Sequence, residues 1–389
     1  MTSVATAFSS ANDSATAGAE IGKQLLDSLE NQTPDAVIVF ASSRYEYSPL
    51  IEGIMKQCNP GVLVGCSSAG EFVTDARAEG AVSAMGIKSN QMAFRAGLAR
   101  NLRENTQSAA LQLVGQFGGL KEPQFGYRSA LLLTDALAGQ TEELITELTA
   151  LTGGAYAFFG GGAGDDAHFS RTVVFSGNEV ATDAVAGLEI LSKKPLGIGV
   201  SHGWEPATSH MRVTESQGMR LISLNSIPAA EVFEEHAKET GQNFDRADPV
   251  PFFLHNVLGI ATPDGYKLRV PLSVNEDGSI LCASDVPEGS QIAIMKTGTE
   301  SAAEAARRAA EAALEQTNHQ PVRAAIFFDC VATRLRLGQA FQSELDSLRQ
   351  TLGTDTMYVG CNSYGQIARV DNQFCGFHNC TAVVCVLPE

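Results

Sequence analysis

Two stretches of the chain place a cysteine and small polar side chains directly after an apolar run. Residues 64–72 read VGCSSAGEF, and residues 359–367 read VGCNSYGQI. A thiol at such a turn can serve as a nucleophile or a metal ligand once it is deprotonated. Free cysteine is more often a small buried apolar side chain, and no histidine or basic residue adjoins Cys66, Cys361 or the comparable Cys330. These cysteines are therefore candidates for lining a ligand pocket, and we expect no catalysis from them.

A third stretch, residues 158–166, reads FFGGGAGDD. Glycine-rich turns can bind a phosphate through backbone N–H groups, but this turn lacks both the lysine-containing P-loop pattern and the G-x-G-x-x-G pattern. Two adjacent aspartates also disfavour an anion. A tight turn capped by Asp165 or Asp166 is the preferred interpretation. Three such turns converging at one sheet edge would nevertheless make Gly161, Gly162 and Asp165 pocket candidates.

Two arginines beside apolar strands complete the set of candidates. An arginine in a pocket can hold a carboxylate in a bidentate pair, although a surface charge is the default explanation for each. The pocket candidates are Arg44, Gly65, Cys66, Ser67, Gly161, Gly162, Asp165, Cys330, Arg334, Gly360, Cys361 and Asn362.

The turns belong to a repeated pattern of strand, helix and strand. Residues 36–41 (AVIVFA) form an apolar run, a helical stretch covers residues 48–57, and a second apolar strand covers residues 61–64. The same order returns in residues 324–359, and a looser copy occupies residues 130–159. Internal duplication is the simplest explanation, and the two Gly-Cys turns would then occupy equivalent positions.

Glycine-containing turns between apolar runs predict β-hairpins, and hence sheets that are antiparallel or mixed. They occur at residues 176–178, 263–265 and 275–278. We predict an α/β fold of two mixed-sheet domains with flanking helices, related by internal duplication. The boundary is placed at residues 225–228, which gives domains of residues 1–226 and 227–389.

A formal net charge of −17 disfavours nucleic acid and anionic membrane surfaces as partners. The sequence has no basic leader and no apolar run long enough to span a bilayer, so we expect a cytoplasmic protein. In that compartment the eight cysteines would be reduced, and none of them forms a Cys-x-x-Cys pair. We therefore expect neither a disulfide framework nor a structural zinc site.

Taken together, these motifs resemble the paired FIST N and FIST C domains of bacterial signal-transduction proteins. In the first half the matching stretches are FASSRY (40–45), VGCSSAGEF (64–72), FFGGGAGDD (158–166), GVSHGWEP (199–206) and VTESQG (213–218). In the second half they are IPAAEVFEE (227–235), FFDCVATR (327–334), VGCNSYGQI (359–367) and FHNCTAVV (377–384). The resemblance implies a sensory module that performs no catalysis, and it leaves the identity of the ligand open.

Within the FIST proteins, the chain resembles the haem-containing nitric-oxide-sensing group called NosP. That resemblance implies noncovalent haem b as the cofactor, nitric oxide as the ligand, and a histidine kinase or a cyclic-di-GMP enzyme as the signalling partner. The alternative is a haem-free FIST sensor of a small metabolite such as an amino acid. The sequence also leaves open whether the chain forms a homo-oligomer.

A haem needs an axial ligand in an apolar pocket, and in a gas sensor that ligand is a neutral donor. Iron would enter this protein only through haem. Of the seven histidines, His255 lies in the most apolar setting, VPFFLHNVLGI, while His202 and His378 lie beside predicted strands. These three are the candidate axial ligands, although a histidine hydrogen-bonded to the backbone is the more common situation for each.

Overall fold

Three segments of the chain fold into the same series of elements: strand, helix, strand, helix, strand, two-stranded hairpin and final strand. The computed structural model describes residues 2–298, 301–318, 320–369 and 376–389. The series recurs because apolar residues follow first the strand period and then the helix period, in the same order, along each segment.

Units 1 and 2 are continuous in sequence. Unit 1 consists of β1 (Thr2–Ser9), α1 (Ser14–Ser28), β2 (Ala36–Ser42), α2 (Tyr47–Cys58), β3 (Val62–Ser68), β4 (Glu71–Val73), β5 (Ala76–Ala78) and β6 (Val82–Ser89). Unit 2 consists of β7 (Met92–Arg100), α3 (Thr106–Gln116), β8 (Tyr127–Thr134), α4 (Thr141–Leu151), β9 (Ala157–Gly162), β10 (Val174–Ser176), β11 (Glu179–Ala181) and β12 (Ala184–Ser192).

Unit 3 begins with β13 (Gly197–Ser201) and is then interrupted by an inserted lobe. The lobe contains β14 (Glu205–Pro206), β15 (Met211–Gln217), β16 (Arg220–Leu224), β17 (Ile227–Pro228), α5 (Ala229–Thr240), α6 (Val250–Phe253), β18 (Val257–Thr262), β19 (Gly265–Arg269), β20 (Pro271–Val274), β21 (Ile280–Cys282) and β22 (Gln291–Lys296). Unit 3 resumes with α7 (Ser301–Gln316), β23 (Val322–Cys330), α8 (Val331–Leu337), α9 (Gln342–Leu352), β24 (Met357–Ser363), β25 (Gln366–Arg369), β26 (Gly376–His378) and β27 (Ala382–Pro388).

Each unit contains one parallel pair of strands, namely β2–β3, β8–β9 or β23–β24. The second strand of each pair carries a glycine, Gly65, Gly160 or Gly360, at which an added Cβ would come within 3.0 Å of a carbonyl oxygen of the first strand. Phe175 and Phe72, from hairpins of other units, lie over Gly65 and Gly360 at the paired register position. Close backbone packing therefore requires glycine at these three positions.

The hairpin of each unit does not join the sheet of its own unit. The β4–β5 hairpin of unit 1 pairs with β24, the β10–β11 hairpin of unit 2 pairs with β3, and the β25–β26 hairpin of unit 3 pairs with β9. Each of the three six-stranded sheets thus contains four strands of one unit and two of another. Because the exchange is cyclic, every unit completes its sheet with strands from a different unit.

Backbone hydrogen bonds at the ends of the parallel pairs follow the same cycle. Asn362 N donates to Gly70 O at 2.9 Å, and Ala69 N donates to Asn362 O at 2.9 Å. Equivalent bonds join Gly162 to Tyr364 and Gly365 at 2.9 Å each, Gly164 to Ser67 at 2.9 Å, and Asp166 to Ser68 at 3.2 Å. We call these interlocked turns, residues 65–71, 160–166 and 360–366, the central hub. Buried backbone groups need partners, so these bonds hold the three sheets in one arrangement.

The inner faces of the three sheets share one apolar core, and helices cover the outer faces. Phe40, Leu133 and Phe328, one from each sheet, belong to this core, and the Phe40 and Phe328 rings pack edge-on at 5.3 Å. The pairs α1–α2, α3–α4 and α7–α9 pack on the three sheets in turn. The predicted α/β class with mixed sheets, flanking helices and internal duplication is confirmed, and the looser middle copy forms a full unit.

The inserted lobe has an apolar core of its own and a nine-stranded sheet. Its strands β15 and β16 pair with β22 and β21, which come later in the chain. The boundary predicted after residue 226 falls inside this lobe, beside β17, which pairs with β16. None of the helices in the part of the chain that the structure describes has the length and apolar character needed to cross a membrane.

The helix α7 packs closely on the backbone of β13 because the facing surfaces carry only alanine and glycine. Six alanines form the buried face of α7, and they meet Gly197 and Gly199 of β13. A Cβ at Gly199 would come within 3.0 Å of the carbonyl oxygen of Ala309, which belongs to the helix backbone and cannot rotate away.

We expect Gly199→Ala to lower the free energy of unfolding by about 1 to 3 kcal/mol, because the new methyl group overlaps the backbone of α7. The matched control is Gly115→Ala on α3, where an added Cβ meets nothing within 4 Å. The control should be neutral or stabilising by up to about 1 kcal/mol, since alanine favours a helix over glycine. Urea unfolding followed by circular dichroism measures both, and equal stabilities of the two variants would contradict the packing described for α7.

Candidate functional site

A cavity of about 510 Å³ opens between the inserted lobe and the parts of units 2 and 3 that border the hub. Its volume falls within the range of small-molecule sites. Unit 2 contributes Leu137, Thr141, Glu142, Glu143 and Phe169; the lobe contributes Met219, Val250, Phe253, Cys282 and Asp285; and unit 3 contributes Cys330, Ala332, Leu335, Tyr364, Phe377 and Asn379. We call this cavity the cleft.

Exposed apolar side chains concentrate around the cleft. Among the described residues, nine large apolar side chains are exposed, and five of them line the cleft: Leu137, Phe169, Met219, Val250 and Leu335. Single exposed apolar residues are ordinary, but several gathered around one cavity mark a place where an apolar partner is excluded from water. The cleft therefore suits an organic ligand or an apolar segment of a partner.

One residue that lines the cleft, Asn379, carries a buried polar atom that has no hydrogen-bond partner among the described residues. Asn379 is 2% exposed, and its amide oxygen Oδ1 accepts no hydrogen bond from the described residues, while its Nδ2 donates to the carbonyl oxygen of His378 at 3.2 Å. A buried acceptor without a partner costs about 1 to 3 kcal/mol. A ligand that donates a hydrogen bond to Asn379 Oδ1 would remove that cost.

The aromatic wall of the cleft is positioned by Asp165. The Tyr364 hydroxyl donates to the carboxylate of Asp165, and the Tyr364 ring stacks on Phe169 with centroids 4.5 Å apart. Burial opposes the charge of Asp165, but hydrogen bonds from Tyr364 and from the backbone of residues 169–171 hold the pKa of this carboxyl below its ordinary value. The carboxylate thus fixes both the loop that carries Phe169 and the orientation of Tyr364.

The charged residues that line the cleft are acidic. Among the described residues, the lining includes Glu142, Glu143 and Asp285 but no lysine or arginine. Glu142 is already paired, because it accepts hydrogen bonds from Lys267 at 2.7 Å and from the backbone of Phe377 at 3.0 Å. Through these hydrogen bonds, Glu142 of unit 2 is joined to the lobe and to unit 3. The remaining carboxylates favour a neutral or cationic ligand over an anionic one.

Cys330 brings a thiol to the cleft wall. It is 3% exposed, and its thiol is hydrogen-bonded to the thiol of Cys380, which is 5% exposed. The hydrogen bond from Cys380 lowers the pKa of Cys330 to about 7 despite burial. The same hydrogen bond, together with burial, raises the pKa of Cys380. Cys330 is therefore the member of the pair that ionises first.

Two carboxyl groups lie behind Cys330, away from water. Asp329 and Glu344 are each 1% exposed, and a hydrogen bond joins them. Burial raises the pKa of both groups, with a further increase from the neighbouring Cys330 at Asp329 and from Asp329 at Glu344, so at least one of the two keeps its proton. Asn362 of the hub donates to Asp329 at 3.3 Å, which links this acidic pair to the turns.

Most pocket candidates predicted from the sequence lie in the hub and do not line the cleft. They are Gly65, Cys66, Ser67, Gly161, Gly162, Asp165, Gly360, Cys361 and Asn362. The arginines also have structural partners, since Arg44 donates to the carbonyl oxygens of Ser10 and Ala11, and Arg334 pairs with Glu79. Of the twelve candidates, Cys330 alone lines the cleft.

The three candidate axial histidines occupy different surroundings, and none of them lines the cleft. His255 is exposed, next to Leu254, which does line it. His202 is hydrogen-bonded to the carbonyl oxygen of Tyr266 at 2.9 Å, and burial lowers its pKa. His378 is 3% exposed, and burial lowers its pKa to about 3.

The residues that line the cleft fit a haem poorly. A haem needs an axial donor and groups that accommodate two propionates. The described residues that line the cleft include no histidine, the axial donor predicted from the sequence, although Cys330, Met219 and Tyr364 are of types that can bind haem iron. The charged lining residues are the carboxylates of Glu142, Glu143 and Asp285. Without a cationic side chain on the wall, propionates would face negative charge.

Sequence reasoning missed the residues that make up the cleft, although several of them adjoin predicted ones. Tyr364 and Asn379 lie within the quoted motifs VGCNSYGQI and FHNCTAVV. In an extended chain, neighbouring side chains point to opposite sides. Phe377 and Asn379 line the cleft, whereas His378 between them, the residue predicted from the sequence, does not. Leu335 directly follows the motif FFDCVATR, and Phe169 comes three residues after FFGGGAGDD, but nothing in the sequence indicates that these two side chains line the same cavity.

Comparisons with known proteins identify the two halves of the chain. The family model for the FIST N domain matches residues 35–227, and that for the FIST C domain matches residues 229–369. An uncharacterized protein of Methanocaldococcus jannaschii is 27% identical over 150 residues, which make up 36% of this chain and 29% of that protein. The match thus spans less than a third of the relative's length.

Two solved structures show a weak overall likeness. Cyanuric acid hydrolase is 10% identical with a TM-score of 0.34, covering 99% of this chain and 100% of that chain. Phosphoribosylformylglycinamidine synthase II of Thermotoga maritima is 13% identical with a TM-score of 0.22, covering 99% of this chain and 72% of that chain. Likenesses at this level carry no conclusion about the activity of this chain.

The acidic pair predicts a stability that falls as pH rises. Above the ordinary Glu pKa of 4.5 the unfolded chain releases a proton that Asp329 and Glu344 retain in the folded chain. Stability therefore decreases with pH, at up to about 1.4 kcal/mol per pH unit for one proton. We expect Glu344→Gln, which is neutral at every pH, to lose less stability than the wild type between about pH 5.5 and about pH 8. Urea unfolding across this range measures the slopes.

The control for this experiment is Glu315→Gln, an exposed position on α7. It changes the net charge by the same amount as Glu344→Gln but removes no buried carboxyl. Parallel slopes for the wild type and Glu344→Gln would show that the acidic pair does not retain a proton.

Proposed function

The chain belongs to the FIST family, carrying both the N and the C domain, and from this premise we propose that it is a signal-transduction sensor whose ligand is a small, uncharged or cationic, largely apolar molecule held in the cleft. FIST domains are sensor domains that bind small ligands. The cytoplasm is the proposed compartment, and a histidine kinase or a cyclic-di-GMP enzyme is the proposed receiver of the signal.

One observation carries the proposal: a cavity of about 510 Å³ has an apolar rim and a buried acceptor, Asn379 Oδ1, that no described residue satisfies. An apolar ligand would cover Leu335 and Met219, which are 43% and 42% exposed. Burial of apolar area contributes about 25 cal/mol per Å². A single hydrogen bond to Asn379 would then orient the ligand.

The helix α8 provides a path from the cleft to the rest of the molecule. Ala332 and Leu335 on this helix line the cleft. On the same helix Arg334 pairs with Glu79 of unit 1, and Arg336 lies over the ring of Trp204 in the lobe at 5.6 Å. A ligand that displaces α8 would therefore change contacts with unit 1 and with the lobe, and these altered surfaces would be available to a partner.

We expect the neutral apolar dye Nile red to bind in the cleft and to gain fluorescence there. Leu335→Asp should weaken binding about tenfold, which corresponds to about 1.4 kcal/mol, because it places a charge on the apolar rim. The matched control is Leu111→Asp on α3, a leucine that is 54% exposed and lies outside the cleft. An equal loss in both variants, or none in either, would contradict the proposed site.

The charge of the cleft adds a second comparison in the same assay. The anionic dye anilinonaphthalene sulfonate should bind more weakly than Nile red, because Glu143 and Asp285 repel it and no lining residue is basic. Raising the salt concentration should narrow the difference, since screening weakens repulsion between exposed charges.

The rival proposal is the haem-based nitric oxide sensor that the NosP resemblance implies. The two proposals are separated by the absorbance spectrum of protein expressed with a haem precursor. We expect no stoichiometric Soret band, because the described residues that line the cleft include neither a histidine nor a cationic side chain for the propionates. A band that shifts with nitric oxide and disappears in His255→Ala, His202→Ala or His378→Ala would favour the haem sensor and identify its ligand.

A further inference from the structure

The wall of the cleft includes a thiol, that of Cys330, which has no role in the ligand binding proposed above. Cys330 lines the cleft, and Cys380 lines a small polar pocket on the other side, beside Trp204. The two thiols are hydrogen-bonded to each other and belong to the same buried cluster as Trp204. The pair thus connects the cleft to a second, separate set of side chains.

We propose that Cys330 and Cys380 form a dithiol that a neutral, apolar quinone bound in the cleft oxidises to a disulfide. The inference rests on the proposed function, because it takes the cleft as the ligand site and specifies the chemical class of the ligand. Oxidation by the bound quinone would then leave a disulfide bond that links β23 to the segment before β27.

The two thiols are suited to different parts of this reaction. Cys330 faces the cleft and ionises more readily, because Cys380 donates a hydrogen bond to it and lowers its pKa to about 7. Cys380 keeps its proton and is shielded from the cleft. A thiol of lowered pKa next to a second thiol that completes the disulfide is a usual arrangement of redox-sensing cysteines, and here the first thiol is reached from the cleft and not from the open surface.

The walls of the cleft favour a flat, neutral molecule. The stacked Phe169 and Tyr364 rings lie on one side, and Phe253 and Phe377 add further aromatic surface. No lysine or arginine is among the described residues that line the cleft, so they offer no cationic side chain to an anionic oxidant. A quinone carries only acceptor oxygens, so the hydrogen bond to Asn379 Oδ1, which no described residue satisfies, forms after reduction, when a hydroxyl group of the hydroquinone can donate to it.

The reaction balances without any further reactant. The two S–H bonds break and one S–S bond forms, which releases two electrons and two protons. These reduce the two carbonyl groups of the quinone to the two hydroxyl groups of a hydroquinone. A hydroquinone then leaves the cleft, and reduction by an external thiol restores the dithiol.

The backbone holds Cys380 in an uncommon conformation next to its partner. Its φ angle is 49°, in the left-handed region that non-glycine residues rarely adopt. Such conformations persist only where surrounding contacts hold them, and they concentrate at functional sites. Since Trp204 is the chain's single tryptophan and lies in the same cluster, its fluorescence reports on this pair.

The test uses the full, reduced chain and tetramethyl-benzoquinone, whose ring carbons are all substituted so that it cannot form a stable thioether. We expect one equivalent of hydroquinone, a loss in mass of two hydrogen atoms per chain, a Cys330–Cys380 peptide on mapping, and a change in Trp204 fluorescence that reductant reverses. Cys330→Ala and Cys380→Ala should abolish all four, while Cys58→Ala, a buried cysteine on α2 outside the cleft, should abolish none.

Two further measurements locate the reaction. Leu335→Asp should slow oxidation about tenfold if the quinone reacts from the cleft, in line with its effect on dye binding. Oxidation by hydrogen peroxide at a rate equal to or above that by the quinone would overturn the ligand class. Circular dichroism confirms that each alanine variant is folded before its result is used.

Failure of this inference and failure of the proposed function have different signatures. If Nile red binds to the cleft but the quinone produces no disulfide, the dithiol inference is wrong and the ligand site stands. If neither the dye nor the quinone acts at the cleft, both are wrong. Disulfide formation that is equally fast in Leu335→Asp would also overturn the proposed route through the cleft.

Discussion

The cyclic exchange of backbone hydrogen bonds in the hub is the constraint on which the remaining structure depends. Each of the three turns satisfies its buried N–H and C=O groups with the turn of another unit, for example Asn362 with Ala69 and Gly70. Each unit likewise donates its hairpin to a different sheet. No unit can be removed without leaving unpaired strands in the other two, so the three units and their shared core form one cooperative body.

The cleft takes its geometry from this body. The hub residue Asp165 holds Tyr364, and Tyr364 stacks on Phe169, so the aromatic wall is fixed by the same turns that join the sheets. The opposite wall belongs to the lobe, which is tied down where Lys267 meets Glu142. A ligand between the two walls would contact the aromatic wall that the hub fixes and, opposite it, the wall that belongs to the inserted lobe. That contrast in attachment suits a sensor, because ligand binding needs to move only one side.

Acidic residues have different effects at the protein surface, in the cleft and behind the cleft wall. A net charge of −17 disfavours anionic partners in general. In the cleft, no described lining residue is basic, so an anionic ligand is disfavoured there as well. Behind the wall, Asp329 and Glu344 avoid the cost of buried charge by keeping a proton, and they lie next to Cys330. The ionisable groups next to the cleft wall are thus a few buried side chains, Asp329, Glu344 and Cys330, in apolar surroundings.

The sequence determined the α/β class, the repeated strand–helix–strand pattern, the glycine turns and the family, because each of these follows from local periodicity and from motifs of a few residues. It also identified Cys330, one residue of the cleft. Contacts in the folded chain place Gly65, Cys361 and Asn362 in the hub and leave His255 exposed. They also bring Leu335, Phe169 and Asn379 to the wall of one cavity. The physical reason is that the side of a strand or helix that faces a cavity depends on contacts between residues far apart in the chain, and here the hairpins cross between units and a whole lobe is inserted.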